Sequence, residues 1–309
     1  MPCTNVDGFG GAILRLWGGR WSIGTGADMT ARHTIAFVND EPRLPLAETI
    51  AFAHQNGVEA LEMRSIEGRN FLSLSPDEQK EAARRVADAG ISIVGLASPL
   101  LKWAAPGRAA GRLGDQFGFE IGTRTLGDIG RLAADTAHRL GTRTVRIFSF
   151  LTYDGFKLAD LDPALDELLA LAEREDLVLH IENEPVCNIQ DEVDLMAVVQ
   201  ARRHPRLKAL LDIGNIYAHG TVPDAGRMAA LMPFVDHMHF KDFSIVAGRR
   251  HVPVGEGDIP YGPFIEACLA AAEGRPLTLS VETHMADDPV GGTQRSLTRL
   301  RELVAAATA

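Results

Sequence analysis

Eight short apolar runs punctuate the chain, at 33–38, 58–64, 91–97, 144–150, 177–182, 207–213, 235–240 and 277–282. Each is continuous and only a few residues long, which reads as a strand buried on both faces. Between them, apolar residues recur every three or four positions, as Leu46, Ile50 and Ala53 do. That spacing predicts amphipathic helices. Ser75-Pro76-Asp77-Glu78 supplies an N-cap, a proline for the first helical position and acidic residues for the first turn. Further helices are predicted over 123–140, from Asp162-Pro163 onward, and over 191–203, 224–231, 262–273 and 289–307. Strands and helices in strict alternation predict a single (β/α)8 barrel of the α/β class spanning 33–309. An open doubly wound sheet would normally have fewer strands.

Residues 1–32 stand apart. They are rich in glycine and show neither period, so they are expected to form a poorly ordered extension, with Met29 an alternative start just before the first strand. The segment 99–122 after the third strand is long for a barrel connection, and loops of that length at the catalytic face usually form lids or substrate walls.

Four of the runs end on side chains able to bind a metal: Glu182, Asp212, His239 and Glu282. Parallel strands in an alternating fold end on one face, so these four are expected to converge. Three carboxylates and an imidazole at one point would repel one another without a cation, and a divalent metal is the simple resolution. The oxygen-rich set makes Mn²⁺ the expected metal, with Mg²⁺, Co²⁺ or Zn²⁺ as alternatives.

Composition narrows the class. The formal charge of −10 argues against a nucleic-acid surface, which needs a basic stripe. No run is long enough for a membrane helix. Three cysteines, Cys3, Cys187 and Cys268, show no CxxC spacing and suggest a reducing, cytoplasmic setting. A homo-oligomer or an accessory subunit is left open.

The segments Ile181-Glu182-Asn183-Glu184, Leu211-Asp212-Ile213-Gly214-Asn215, His237-Met238-His239-Phe240-Lys241-Asp242, Val254-Gly255-Glu256-Gly257-Asp258 and Ser280-Val281-Glu282 resemble the xylose-isomerase-like TIM-barrel superfamily of sugar and sugar-phosphate isomerases and epimerases. The resemblance spans about residues 33–305. It implies one metal held by Glu182, Asp212, His239 and Glu282. It also implies that Glu182 and Glu282 flank the reacting carbon and exchange protons with it. The superfamily's DNA-repair branch carries three zinc ions, but here two of its ligand positions are Asn215 and Arg249, so DNA cleavage is not expected.

The chemistry has a physical basis. A proton α to a carbonyl leaves at neutral pH only if the enediolate is stabilised, and a divalent metal supplies that charge. Carboxylates then move the proton. The expected activity is therefore a metal-dependent isomerase or epimerase of a sugar, keto sugar or related polyol. The alternative is a lyase on the same scaffold, in which the same first step is followed by loss of a β-substituent. The expected partner is a small polyhydroxylated carbonyl substrate.

Further substrate-binding candidates are His237, Lys241, Arg146, Glu184, Asn215, His251 and Lys102. Each has a structural reading beside it. His237 is alternatively a satisfied core histidine, Lys241 a salt-bridge partner of Asp242, Arg146 a partner of a neighbouring Glu, and Lys102 a solvated loop residue. Trp103 is placed beside Lys102 as a surface for a sugar face. Glu62 is either a polar site residue or an internal ion-pair partner, and Glu256 is expected to hold its loop. Gly291-Gly292-Thr293 reads as an ordinary turn before a helix, with a phosphate cradle as the alternative.

Overall fold

Each apolar run finds its parallel neighbour in the next one along the chain. The computed structural model describes residues 33–111, 114–248 and 250–309. The barrel strands are β1 (Thr34–Val38), β2 (Ala60–Met63), β3 (Ser92–Leu100), β4 (Thr144–Ile147), β5 (Val178–Glu182), β6 (Leu207–Asp212), β7 (Val235–Phe240) and β8 (Thr278–Val281). They pair in chain order, and β8 closes on β1. The predicted (β/α)8 barrel is thus the observed fold. The extension predicted for residues 1–32, and Arg249, lie outside the described residues.

Helices α1 (Leu46–Gln55), α2 (Pro76–Asp88), α3 (Leu126–Leu140), α4 (Asp162–Arg174), α5 (Glu192–Arg202), α6 (Ile213–His219), α7 (Ala225–Leu231), α8 (Tyr261–Ala271) and α9 (Pro289–Thr308) connect the strands. The Ser75 signal is met in full. Its side chain accepts from the Glu78 backbone, Glu78 answers to the Ser75 backbone, and Pro76 opens α2. Two of the differences from the sequence reading have a clear local cause. Helix α3 starts at Leu126, not 123, because Thr125 and Asp128 form a capping box there. Helix α6 is unpredicted. It begins directly after β6 because the Asp212 side chain caps it.

Period-two alternation sorts the strand residues. Leu61, Met63, Val145, Ile147, Leu179, Ile181, Leu211, Met238, Phe240, Leu279 and Val281 are fully buried in the apolar layer. The alternate positions, Glu62, Arg146, His180, Glu182, Asp212, His237, His239 and Ser280, are also buried but polar. The barrel interior is therefore ionic, and buried ions require partners. Those partners define the site.

Candidate metal centre

Register brings the four strand-end residues to one end of the barrel, Asp212 and His239 level and the other two staggered by two positions. Asp212 pairs with His239 across β6 and β7, and His239 pairs with Ser280 across β7 and β8. Glu282 lies two residues beyond Ser280 and therefore on the same side. His239 Nδ1 stands 3.4 Å from Glu182 Oε1, 3.4 Å from Glu282 Oε2 and 4.0 Å from Asp212 Oδ2. One donor atom from each of the four residues lies within 4.8 Å of the others. Ligands bound at about 2.1 Å sit about 3 Å or more from one another, so these spacings suit a shared cation.

Each side chain is aimed by a local device. Asp212 Oδ1 accepts the Asn215 backbone N–H at 2.8 Å as the cap of α6, leaving Oδ2 for the centre. The Asn183 side chain clamps both backbone groups of Asp212, at 2.8 Å each, tying β5 to β6 beyond the ladder. Asn215 Nδ2 donates to Glu182 Oε1 at 3.3 Å and to the Asn183 carbonyl at 2.8 Å. His239 Nε2 bonds Glu62 Oε2 at 2.8 Å, which turns Nδ1 inward. A carboxylate behind an imidazole fixes its orientation in this way at many metal sites.

In the centre, His239 Nδ1 makes no hydrogen bond and faces carboxylate oxygens at 3.4 Å, and Glu182 Oε2 and Asp212 Oδ2 make none either, although each stands 3.0 Å from a basic group, Arg146 and Lys241. A buried polar atom calls for a partner, and the imidazole nitrogen is the one without a donor or a cation beside it. The donor set, three carboxylates about one inward imidazole nitrogen, fits a divalent cation.

The repulsion argument is only partly met, however. Three basic side chains already stand among the carboxylates. Lys241 Nζ is 2.7 Å from Glu282 Oε2 and 3.0 Å from Asp212 Oδ2. Arg146 Nη1 is 3.0 Å from Glu182 Oε2 and 3.3 Å from Glu282 Oε1. Arg64 Nη1 is 2.7 Å from Glu282 Oε1, and its other nitrogens hold Asp40 and Glu41. The cluster is thus largely neutralised by the chain itself, and charge alone does not demand a metal.

The local field sets the protonation states. Burial opposes ionisation of Glu282, but Lys241, His284 and His239 hold it well below the usual range. Burial likewise opposes ionisation of Glu182, and Arg146 and His239 overcome it. Asp212 is pushed up to about 6, because burial, with Glu182 and Glu282 beside it, outweighs Lys241. Burial works against charge on His239 too, yet Glu62, Glu182 and Glu282 hold it well above the ordinary histidine value. Without a metal, the surrounding carboxylates favour the charged ring.

The remaining candidates divide. Lys241 pairs with Glu282 and Asp212, not with Asp242 as the sequence alternative had it. Gly214 makes room for it, since a Cβ there would lie 2.2 Å from Lys241 Cγ. The Asp242 carboxylate instead gathers the backbone N–H groups of Gly255, Gly257 and Ile259. Asp242 therefore holds the Gly-Glu-Gly loop. Glu256 is half exposed and pairs with Arg295 at 2.8 Å. His237 lies below the centre, bonded to Ser280 Oγ at 2.8 Å and 3.3 Å from Glu62. Glu62 is accordingly the internal partner of two histidines. Lys102 is not a solvated loop residue: it is 5% exposed and bonds Glu184 at 2.8 Å. Trp103 lines a separate cavity of about 710 Å³ with Tyr153 and Arg108. His251 packs on His284, with ring centres 5.5 Å apart.

Asp288 occupies the would-be phosphate cradle. Its side chain accepts from the Gly291 N–H at 3.1 Å, and a Cβ on Gly292 would lie 2.4 Å from Met285 Sδ. The double glycine is a cap and a packing device, as the ordinary-turn reading expects.

Sequence reasoning missed Arg64, His284 and Phe117. They line a cleft of about 620 Å³ with Asp40, Glu41 and Met285. His284 Nε2 is 3.4 Å from Glu282 Oε2. Arg64 follows β2 directly, two residues after Glu62, so the strand alternation did carry its signal.

With fold and site described, the class follows. The chain belongs to the xylose isomerase-like TIM barrel family, whose model matches residues 50–303. Comparison with curated proteins gives no match. Among solved structures, it is similar to a xylose isomerase-like TIM barrel/4-hydroxyphenylpyruvate dioxygenase fusion protein, at 18% identity and TM-score 0.67, covering 88% of this chain and 42% of that one. It is similar to the IOLI protein with a bound zinc atom, at 15% identity and TM-score 0.67, covering 89% and 99%. It is also similar to the 3-keto-D-glucoside 4-epimerase YcjR of E. coli, at 15% identity and TM-score 0.65, covering 87% and 99%. At these identities the structural likeness concerns the fold. No helix among the described residues is long and apolar enough to cross a membrane.

Proposed function

We propose that this protein is a divalent-metal-dependent isomerase or epimerase of a small sugar, keto sugar or related polyol. The observation that carries this reading is the convergence of one donor atom from each of Glu182, Asp212, His239 and Glu282 within 4.8 Å, around an inward His239 Nδ1 that makes no hydrogen bond. Glu182, Asp212, His239 and Glu282 would hold one metal, with Mn²⁺ preferred and Mg²⁺, Co²⁺ or Zn²⁺ as alternatives. The zinc in the IOLI neighbour supports a divalent ion on this scaffold. Bound there, the metal would supply the charge that lets a proton α to a carbonyl leave.

The chain's own residues would do the rest. Glu182 and Glu282 are both held ionised, the state a general base needs. They approach the centre from different strands, so one takes the proton and the other returns it. Arg146 orients both, because one guanidinium nitrogen reaches Glu182 and Glu282 together. Lys241 balances Asp212 and Glu282. Lys241, Arg146 and Arg64 are each committed to a carboxylate, and Asp288 fills the loop cradle, which favours an uncharged substrate over a phosphorylated one at the metal itself.

The test is an incubation of metal-loaded protein with a panel of ketoses and keto-polyols in D₂O, beside elemental analysis of protein purified without chelator. About one divalent metal per chain and deuterium uptake with an unchanged carbon skeleton are expected. Loss of water or of an aglycone makes the protein a lyase. Protein that binds no divalent ion and exchanges no deuterium overturns the reading.

A further inference from the structure

One residue of the loop after β3 reaches the ionic centre. The Phe117 ring centre lies 4.6 Å from Lys102 Nζ, 4.8 Å from Arg64 Cζ and 5.3 Å from Arg146 Cζ. Fully buried Phe148 faces Lys102 and Arg146 at 4.8 Å each. Two of the cations thus contact both rings, and all three are ion-paired to carboxylates in or beside the centre. Cations over ring faces are held by the ring quadrupole, more strongly where water is excluded.

The loop is built to deliver this ring. Phe117 has φ +55°, a conformation a non-glycine residue adopts only when its surroundings impose it. Its N–H donates to Asp115 Oδ1 at 2.7 Å, and Gln116 Nε2 donates to the Lys102 carbonyl at 2.6 Å. Gly118 has φ +75° and lies so close to the neighbouring turn that a Cβ would sit 2.2 Å from the Gly68 carbonyl oxygen. Phe117 lines the 620 Å³ cleft together with Arg64, Glu41 and His284.

We propose that Phe117 is an apolar wall and the water seal of the reaction centre, a specificity-determining residue whose ring, set among the cations, offers a surface suited to the carbon face of a polyol and controls passage to and from the metal site. This rests on the proposed metal site. Its prediction is that the ring governs how fast small species exchange with the buried ligands, which are themselves almost fully covered.

The experiment loads the full chain with Co²⁺ and follows loss of its visible absorption after adding excess EDTA. Phe117→Ala is expected to release the ion at least about tenfold faster than the unaltered protein, the change produced by a modest loss of barrier. Gly118→Ala, which leaves the ring but displaces its support, should act in the same direction and serves if the alanine variant does not fold. Phe117→Tyr, which keeps the ring, should release at the original rate. A residue that only packs the loop would lower the melting temperature and leave the release rate alone. Equal release rates in variants that bind Co²⁺ overturn the proposal while sparing the metal site. Failure of the unaltered protein to bind any Co²⁺ overturns both.

Discussion

Lys241→Met separates a cation site from a mere knot of ion pairs. The ammonium is 1% exposed and balances two carboxylates, Glu282 at 2.7 Å and Asp212 at 3.0 Å. Removing one partner of a buried ion pair costs about 3–5 kcal/mol, because the other charge is left uncompensated. With about 2.1 cal/mol/K of unfolding entropy per residue, a chain of 309 residues shifts its melting temperature by about 1.5 °C per kcal/mol, so the metal-free variant should melt roughly 5–8 °C lower. Methionine retains most of the volume against Gly214, so little of this loss is a cavity term.

A divalent metal should then return much of the loss. An ion at a hundred times its dissociation constant stabilises by about 2.7 kcal/mol, and at a thousand times by about 4.1 kcal/mol. In the unaltered protein the metal must enter beside an ammonium. In the variant it meets an Asp212 without its ammonium partner, a Glu282 still held by Arg64 and Arg146, and no neighbouring lysine charge. The variant should therefore bind the ion at least about tenfold more tightly, a difference of about 1.4 kcal/mol. The assay is thermal unfolding of both proteins in EDTA and across a Mn²⁺ titration. A variant that loses stability and gains no more from Mn²⁺ than the unaltered protein would show that the cluster is not a metal site.

Two further outcomes follow from the same geometry. Metal binding should release about one proton per chain near pH 7, because His239, held as an imidazolium by Glu62, Glu182 and Glu282, must give up its proton at Nδ1. With a raised folded value, that ion-paired histidine stabilises the metal-free protein fully below about pH 6.5, the unfolded value, and ceases to as pH climbs through the folded one. Affinity for Mn²⁺ should rise across that interval, and calorimetry in two buffers of different ionisation heat reads the proton; identical heats in both would refute the assignment. Glu182→Gln should lower turnover by at least about 10²-fold with the metal still bound, measured as rate beside metal content. Near-normal turnover at full occupancy would remove Glu182 from proton transfer.

The fold was legible because strand and helix periods differ and because each barrel strand ends in the same plane. That plane is also why four residues from separate segments could be grouped before any contact was known. What was not legible depends on closure of the ring. Arg64 reaches Glu282 across 218 residues of sequence, a contact that exists only because β1 and β8 meet. Phe117 sits on a loop without a period, so nothing local marks its ring as pointing inward. Helix α6 escaped because its cap, Asp212, reads equally well as the last residue of a strand. The charge argument went astray for a related reason: it counted Asp212, Glu182 and Glu282 but could not place Lys241, Arg146 and Arg64 among them.

Glu282 differs from the other three candidate ligands, and the difference has a consequence. Asp212, Glu182 and His239 each commit one polar atom to an orienting hydrogen bond and leave the other without one, with a single basic group 3.0 Å from Asp212 Oδ2 and from Glu182 Oε2. Glu282 has no orphaned oxygen. Its Oε1 takes Arg64 and Arg146, and its Oε2 takes Lys241, with His239 and His284 within 3.4 Å. An ion entering the centre therefore finds one unpaired ligand, His239, two carboxylates that each share an oxygen with one cation, and Glu282, which shares its oxygens with two guanidinium groups and an ammonium. Charge drawn off in this way weakens a ligand and keeps the carboxylate in the ionised form that accepts a proton, though it also lowers its basicity. Glu282→Gln should then retain most of the metal content while losing turnover, whereas Asp212→Asn should lose both together. A Glu282→Gln protein that is metal-free would make Glu282 principally a ligand. The variant's amide also leaves Arg64 and Lys241 without their full counter-charge, so its melting temperature should be read in the same series, with the metal bound.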